Sequence, residues 1–406
     1  MKKTMACLAI AAAAGAMAQQ GPKAATAPAK TPPAAASVAP SAGALDGVFT
    51  DRIVVGRTGT LTGTSARQGN AVSVGIKTLL AQVNAAGGVH GRKIEFVEID
   101  DNYKADRAAA NAKKLIEETK IFAMLATNGT GPTRGVVKLI DAAKMPMIGT
   151  TSGAVQRDPK EPTSRYFFNV RNSNYVDIKG ITTFLKDTGD TSISAIYQDD
   201  AFGKAAMVDL DRAAKEDGVV VVAKVPMSAE ASSADEVVKK LMADGGAKTQ
   251  NVMTVLVDKP SGVVIKSLQA ARLNKRIFGI SSSGEIEREV GQKGAENVVI
   301  SHTVPAMRDT SHPGIARFRA AMAASKDTAD YLDSSVAFQG WLTAAVLVEG
   351  LRDAGRDVNR EKLVVALEGF KNRKIEGMFV DYSTPLHEGL RFHELYMWGP
   401  TGRMVY

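Results

Sequence analysis

The stretch IFAMLATNGTGPTRG (residues 121–135) passes from a short apolar run to a helix-like segment through Asn128, Gly129 and Thr130. IFAMLA has the character of a strand, and Pro132 suits the first turn of a helix, where its missing N–H costs nothing. A strand that hands over directly to a helix is one unit of a parallel sheet, whose ligands sit beyond the carboxyl ends of the strands. Free backbone N–H groups and the helix dipole at such a turn favour an anion, and glycine lets it approach the main chain. The spacing is G-x-G-x-x-x-G, one residue off the dinucleotide fingerprint. The next strand, within MPMIGTTSG, closes on no acidic residue, so a nucleotide fits poorly. The plain alternative is an ordinary glycine-rich turn.

Outward from this unit the same rhythm continues. The predicted strands are RIVVGR, KIEFVEI, IFAMLA, MPMIG, SISAIYQ, VVVVAKV, NVMTVLV, RIFGIS and NVVIS, and helical patterns separate them at 69–85, 107–119, 133–144, 176–186, 204–216 and 262–272. Three more helices are expected over 313–324, 334–353 and 361–370. The tail from Ile375 reads as β-hairpins turning at 385–389 and 399–402. The loop after MPMIG repeats the donor chemistry, because Thr151, Ser152 and Gly153 offer hydroxyls and N–H groups beside the first loop. Taken alone they would be a helix cap; two adjacent donor-rich loops point to a site for a small carboxylate.

The chain begins with Lys2 and Lys3, an apolar run too short to span a bilayer, and the small-residue pattern Ala16-Met17-Ala18. Residues 1–18 are therefore expected to be a signal peptide cut after Ala18, placing the protein in the periplasm. Cys7, the one cysteine, lies inside that run, so no disulfide, lipid anchor or cysteine metal site is expected beyond it. Residues 19–50, rich in Ala, Pro, Ser and Thr, are expected to form a disordered tether. The net charge of +8 includes four lysines before residue 51, and no basic cluster is interleaved with aromatics, which argues against nucleic acid.

The segments TLTGTSARQG, NAAGGVHGRKIEFVEIDD, YQDDAFGKA and GLRFHELYMWGPTG resemble the solute-binding proteins of branched-chain amino acid ABC transporters, the Leu/Ile/Val-binding family, over residues 51–406. The resemblance implies an α/β, two-lobe type I periplasmic binding protein. Each lobe would hold a mainly parallel sheet flanked by helices, and three crossovers near 170–173, 301–305 and 379–383 would act as hinges. Lobe 1 would comprise residues 51–171 and 304–380, and lobe 2 residues 172–303 and 381–406. The implied partners are a small-molecule carboxylate ligand and an inner-membrane ABC permease, with the protein a monomer that needs no cofactor or metal.

The same resemblance implies ligand contacts at Asn128, Gly129 and Thr130, with the Thr130 hydroxyl holding the carboxylate, and at Thr151, Ser152 and Gly153. Gln68 falls where an aromatic often covers the ligand. In lobe 2, Phe202 takes the place of a stacking tyrosine. The Val257–Asp258 loop and Ser281 with Ser282 complete the set, the two serines replacing the acidic residue that meets an amino acid's ammonium. Asp258 or Glu285 could supply that charge instead, although Asp199, Asp200 and Asp258 could equally be solvated loop carboxylates. The ligand class thus stays open between an α-amino acid and an aromatic or other organic acid. A sensor's ligand module of the same fold, or an exported α/β hydrolase, is the alternative; the hydrolase lacks a G-x-S-x-G elbow, and H-E-x-x-H is absent too. His387 and His393 are expected on the surface of a hairpin.

Overall fold

The structure, a computed structural model, describes residues 46–154, 164–228, 234–273, 275–399 and 404–405. The expected signal peptide, and all of the expected tether but its last few residues, lie outside that set. Within the described residues no helix is long and apolar enough to cross a membrane.

Five strands build the first sheet: β1 (Arg52–Gly59), β2 (Lys93–Asp100), β3 (Ala123–Thr127), β4 (Met147–Thr150) and β5 (Phe167–Phe168). They are parallel and lie in the order β2-β1-β3-β4-β5. Connecting them are α1 (Ala66–Ala85), α2 (Ala105–Glu117) and α3 (Thr130–Ala142). β1 is buried along nearly its whole length and β3 throughout, as expected of strands covered by helices on both faces.

The chain then runs through α4 (Asn174–Asp187), β6 (Ser192–Gln198), α5 (Ala201–Asp217), β7 (Val220–Met227), α6 (Ala234–Ala243), β8 (Asn251–Val255), α7 (Asp258–Ala270), β9 (Arg276–Gly279), α8 (Ile286–Ala295) and β10 (Val298–His302). After α9 (Pro313–Ala323), α10 (Lys326–Ala329), α11 (Ser335–Ala354) and α12 (Arg360–Glu368) come the hairpin β11 (Arg373–Ile375) and β12 (Met378–Val380), then β13 (Glu394–Trp398) and β14 (Met404–Val405). The second sheet has the order β14-β13-β10-β9-β8-β6-β7. β6 to β10 are parallel, and β13 pairs antiparallel with β10.

Helices α9, α11 and α12 return to the first sheet and share its core, with Trp341, Phe318 and Phe338 packed edge to face. α11 is buried almost all round because it lies inside that core. Its close seat on α1 depends on glycine. A Cβ at Gly340 would stand 2.2 Å from the Val72 carbonyl oxygen, and one at Gly75 would stand 1.9 Å from that of Ala337.

Several elements depart from the sequence expectation. α6, α8 and the two-residue β5 were not anticipated. The first tail hairpin turns at Glu376–Gly377, both at positive φ, rather than at 385–389. The segment 385–389 instead folds inward: Gly389 N–H donates to the Asn169 carbonyl at 2.8 Å, and His387 is buried with its ring stacked on Phe168 at 4.3 Å. The surface expectation for His387 therefore fails, because an apolar ring face lies beneath it. The tether expectation also runs too far. Asp46 to Phe49 turn back on β1, with Val54 N–H donating to the Gly47 carbonyl and Arg52 lying over the Phe49 ring.

Candidate functional site between the two sheets

The loops after β1, β3 and β4, and those after β6, β8 and β9, all leave the carboxyl ends of their strands, where an open parallel sheet offers its ligand site. The β3–α3 turn is shaped by Gly129, at φ +81° and ψ 161°; a Cβ there would lie 2.3 Å from the Tyr103 ring. That conformation is nearly exclusive to glycine. It delivers Thr130 as the first residue of α3, with Pro132 in the opening turn.

Hydroxyls tie the two donor-rich loops together. Thr130 and Ser152 share a hydrogen bond of 2.8 Å, Gly129 N–H donates to Thr151 Oγ1 at 2.8 Å, and Thr127, Thr133 and Thr150 form a buried hydroxyl cluster beneath. Asn128 is fully buried, yet neither its amide nitrogen nor its amide oxygen meets a partner within the protein. Gly153 accepts the Asn174 N–H through its carbonyl, and a Cβ at Gly153 would collide with that asparagine. Ser173, the residue before α4, has a buried hydroxyl with no partner, and the Asn174 side-chain nitrogen is in the same condition. Unpaired polar groups in the interior cost free energy, which sets this cluster apart from the paired hydroxyls around it.

At the second sheet Ser281 Oγ donates to Asp177 at 2.6 Å and accepts from Arg171 at 2.8 Å. Ser282 accepts from Gln68 Nε2 through its carbonyl at 2.9 Å. Phe202 belongs to the apolar cluster beside the second sheet, with 7% of its surface exposed, and Val257 is buried just before α7. Asp258 opens α7; its side chain is outside the described atoms. The structure therefore gathers Gln68, Gly129, Thr130, Thr151, Ser152, Gly153, Ser281 and Ser282 into one hydrogen-bonded region, with the unpartnered Asn128 amide next to Gly129 in the chain. Phe202 and Val257 are packed in or beside the apolar interior of the second sheet.

Residues that sequence reasoning missed hold this region together. Arg171, buried between β5 and α4, donates to the Thr151 carbonyl, Asn174, Asp177 and Ser281. Burial lowers its pKa, although Asp177 and Glu388 act in the opposite sense. Arg67 donates to Glu285 at 2.9 Å, and Glu285 also receives Ser334 and pairs with Arg288. Asp200, expected to be a solvated loop acid, caps α5 through the Phe202 and Gly203 N–H groups and accepts from Gln198. Tyr103 reaches it at 3.4 Å, and burial, with Asp200 nearby, raises the Tyr103 pKa. Asp199 is the solvated one, half exposed beside Lys204. Asp100 and Asp101 organise the β1–α1 turn. Burial works against ionisation of Asp100, but donors from Thr62, Asn102 and Leu61 outweigh it and hold its pKa at about 2. A separate open groove lined by Phe184, Leu268, Leu273 and Ile277 lies at the amino ends of the second-sheet strands, the opposite edge from these loops.

Residues 52–397 match the sequence model of the periplasmic binding protein family. The chain belongs to that family. Its members are solute-binding proteins of ABC transporters, built as two lobes with mainly parallel sheets. Leu/Ile/Val-binding protein homolog 8 of Brucella abortus is 27% identical over 173 residues, which is 40% of this chain and 42% of that protein. A branched chain amino acid ABC transporter structure from Thermus thermophilus with bound valine superposes with a TM-score of 0.80 at 19% identity, covering 88% of this chain and 96% of that one. A solute binding protein of R. palustris in complex with benzoate gives 0.74 at 19%, covering 87% and 95%. At that identity the two superpositions speak to the fold.

Proposed function

We propose that this periplasmic binding protein captures a small carboxylate-bearing ligand between its lobes and delivers it to an inner-membrane ABC permease after export by a cleaved signal peptide. The observation that carries the reading is the buried Asn128 amide, unpartnered at the N-terminus of α3 beside the Thr130–Ser152 pair. A carboxylate there meets hydroxyls, the first N–H groups of α3 and the positive end of its dipole. The proposed lobes are residues 51–171 with 304–380, and 172–303 with 381–406. Lobe 1 holds the anion through Thr130 and Thr151–Gly153, and lobe 2 closes over the remainder with Phe202, Val257–Asp258 and Ser281–Ser282. Structures of the same fold hold valine and benzoate, and both ligands carry a carboxylate.

Titration calorimetry on two variants tests the division of labour. Thr130→Ala weakens every ligand by about 1.5–3 kcal/mol, the loss of a hydrogen bond to a charged group. Phe202→Ala reorders ligands among themselves. A selective effect of Thr130→Ala together with a uniform effect of Phe202→Ala overturns the assignment.

A further inference from the structure

Resting on the two-lobe division just proposed, we infer that Arg67 and Glu285 form a clasp that holds the lobes together independently of the ligand. Glu285 belongs to lobe 2, on the turn between β9 and α8, and is 4% exposed. Its carboxylate is supplied from both lobes. Arg67, in the first turn of α1 in lobe 1, donates to one oxygen through Nε at 3.2 Å and Nη2 at 2.9 Å, and Arg288 of lobe 2 approaches the same oxygen at 3.2 Å. The hydroxyl of Ser334, the N-cap of α11 in lobe 1, donates to the other oxygen. Arg67 is held ready within its own lobe, because its guanidinium lies over the Tyr331 ring at 5.4 Å, so little side-chain freedom is lost when the lobes meet.

The same turn of lobe 2 approaches lobe 1 at further points. Gln68 Nε2 donates to the Ser282 carbonyl at 2.9 Å, Arg288 Nη2 donates to the Asp330 carbonyl at 2.7 Å, and Gly284 lies so near that a Cβ there would stand 3.1 Å from Ser335 Oγ. Each partner is a protein group, and Arg67, Glu285 and Ser334 are outside the contacts proposed for the ligand, so the clasp can close whether or not the cleft is filled. Its strength rests on full satisfaction of the carboxylate. A buried ion pair offsets its desolvation only when further hydrogen bonds occupy the remaining lone pairs, as Ser334 and Arg288 do here. Losing Arg67 would leave Glu285 without its counter-charge from lobe 1. In the interior of one domain that loss would fall on folding stability. At a seam between lobes the carboxylate regains water by opening, so the loss appears as a shift from the closed to the open state. Arg67 and Glu285 are thus positioning residues: they set how often the ligand groups of lobe 2 face those of lobe 1.

Double electron–electron resonance tests this through spin labels at Lys138→Cys and Val208→Cys, exposed positions on α3 of lobe 1 and α5 of lobe 2, in a Cys7→Ser background refolded from guanidinium so that no solute is carried over. The expected result in this parent is one short distance that matches the structure. Arg67→Ala and Glu285→Gln should each add a longer distance, whereas Arg165→Ala, which breaks an ion pair inside lobe 1, should change nothing. Gly284→Trp is the reference for forced opening, since its side chain wedges the seam at Ser335. If Gly284→Trp lengthens the distance while Arg67→Ala and Glu285→Gln keep that of the parent, the clasp is overturned and the two lobes stand. The clasp also falls if the parent already shows the longer distance, or if Arg165→Ala opens as much as Arg67→Ala. If no variant departs from the parent, the wedge included, the lobe division and the clasp are overturned together.

Discussion

Replacing Arg171 with methionine keeps most of the side-chain volume and removes the charge. Asp177 would then remain as a fully buried carboxylate with only the Ser281 and Ser301 hydroxyls as donors. Breaking one half of a buried ion pair costs about 3–5 kcal/mol, because the survivor has lost its water without keeping its partner. Burial lowers the pKa of Arg171 despite the attraction of Asp177, and taking two charges out of water offsets much of what a buried pair gains. Removing both charges should therefore hurt less than removing one. Urea unfolding of Arg171→Met, Asp177→Asn and the double variant measures this directly. The expectation is a loss of about 3–5 kcal/mol for Arg171→Met and a smaller loss for the double variant, so that the coupling exceeds the loss of Asp177→Asn alone. If the double variant loses the sum of the two single losses, the charges are not coupled and the account of Arg171 is wrong.

Gly129→Ala should lower stability by about 1–3 kcal/mol from backbone strain alone, with the Tyr103 clash adding to it, whereas Gly131→Ala, with open space around its Cβ, should be neutral; equal melting temperatures for the two variants would contradict the turn geometry. A third expectation concerns pH. His302 is lowered to about 4 by burial, with the charge of His393 adding, and Glu287 is raised to about 7 by burial, with Glu285 adding. As the pH falls from 6.5 towards 4.5, unfolding takes up a proton at His302, which destabilises the fold. Over the same window unfolding releases a proton at Glu287, which offsets part of that loss, while His387 and His393, both lowered by burial, add to it. Glu287→Gln removes that offset, and stability should then fall more steeply than in the wild type as the pH drops from 6.5 to 4.5, by up to roughly 3 kcal/mol more. A flat urea-midpoint profile in that variant would refute the His302 assignment.

The βα alternation was legible because most strands are compact apolar runs and most of the helices between them carry a polar face. The loops around Thr130 and Ser152 were legible because glycine, proline and hydroxyl residues at a strand end have few other uses. What the sequence hid depends on distance along the chain. Arg171 is an arginine after an apolar run until Ser281, 110 residues away, is seen beside it. Arg67 meets Glu285 across 218 positions, so no local pattern could pair them. Asp200 looked like half of a surface acid pair, since a cap differs from a solvated carboxylate only in whether the next N–H groups turn towards it. His387 was misplaced for a related reason: Phe168, which covers it, comes more than two hundred residues earlier.

The glycine seam between α1 and α11 bears on the order in which the protein can be made. α1 emerges early in synthesis, but the helix that covers it begins at Ser335, after the chain has passed through β6 to β10. The first sheet's core therefore stays open, with Val72, Ile76 and Leu79 uncovered, until nearly the whole polypeptide exists. The second sheet waits in turn for β13, which follows α11. Neither sheet is completed by its own contiguous segment, since the first needs α11 and the second β13, so both are finished only by the last part of the chain, an order that would suit the export proposed above.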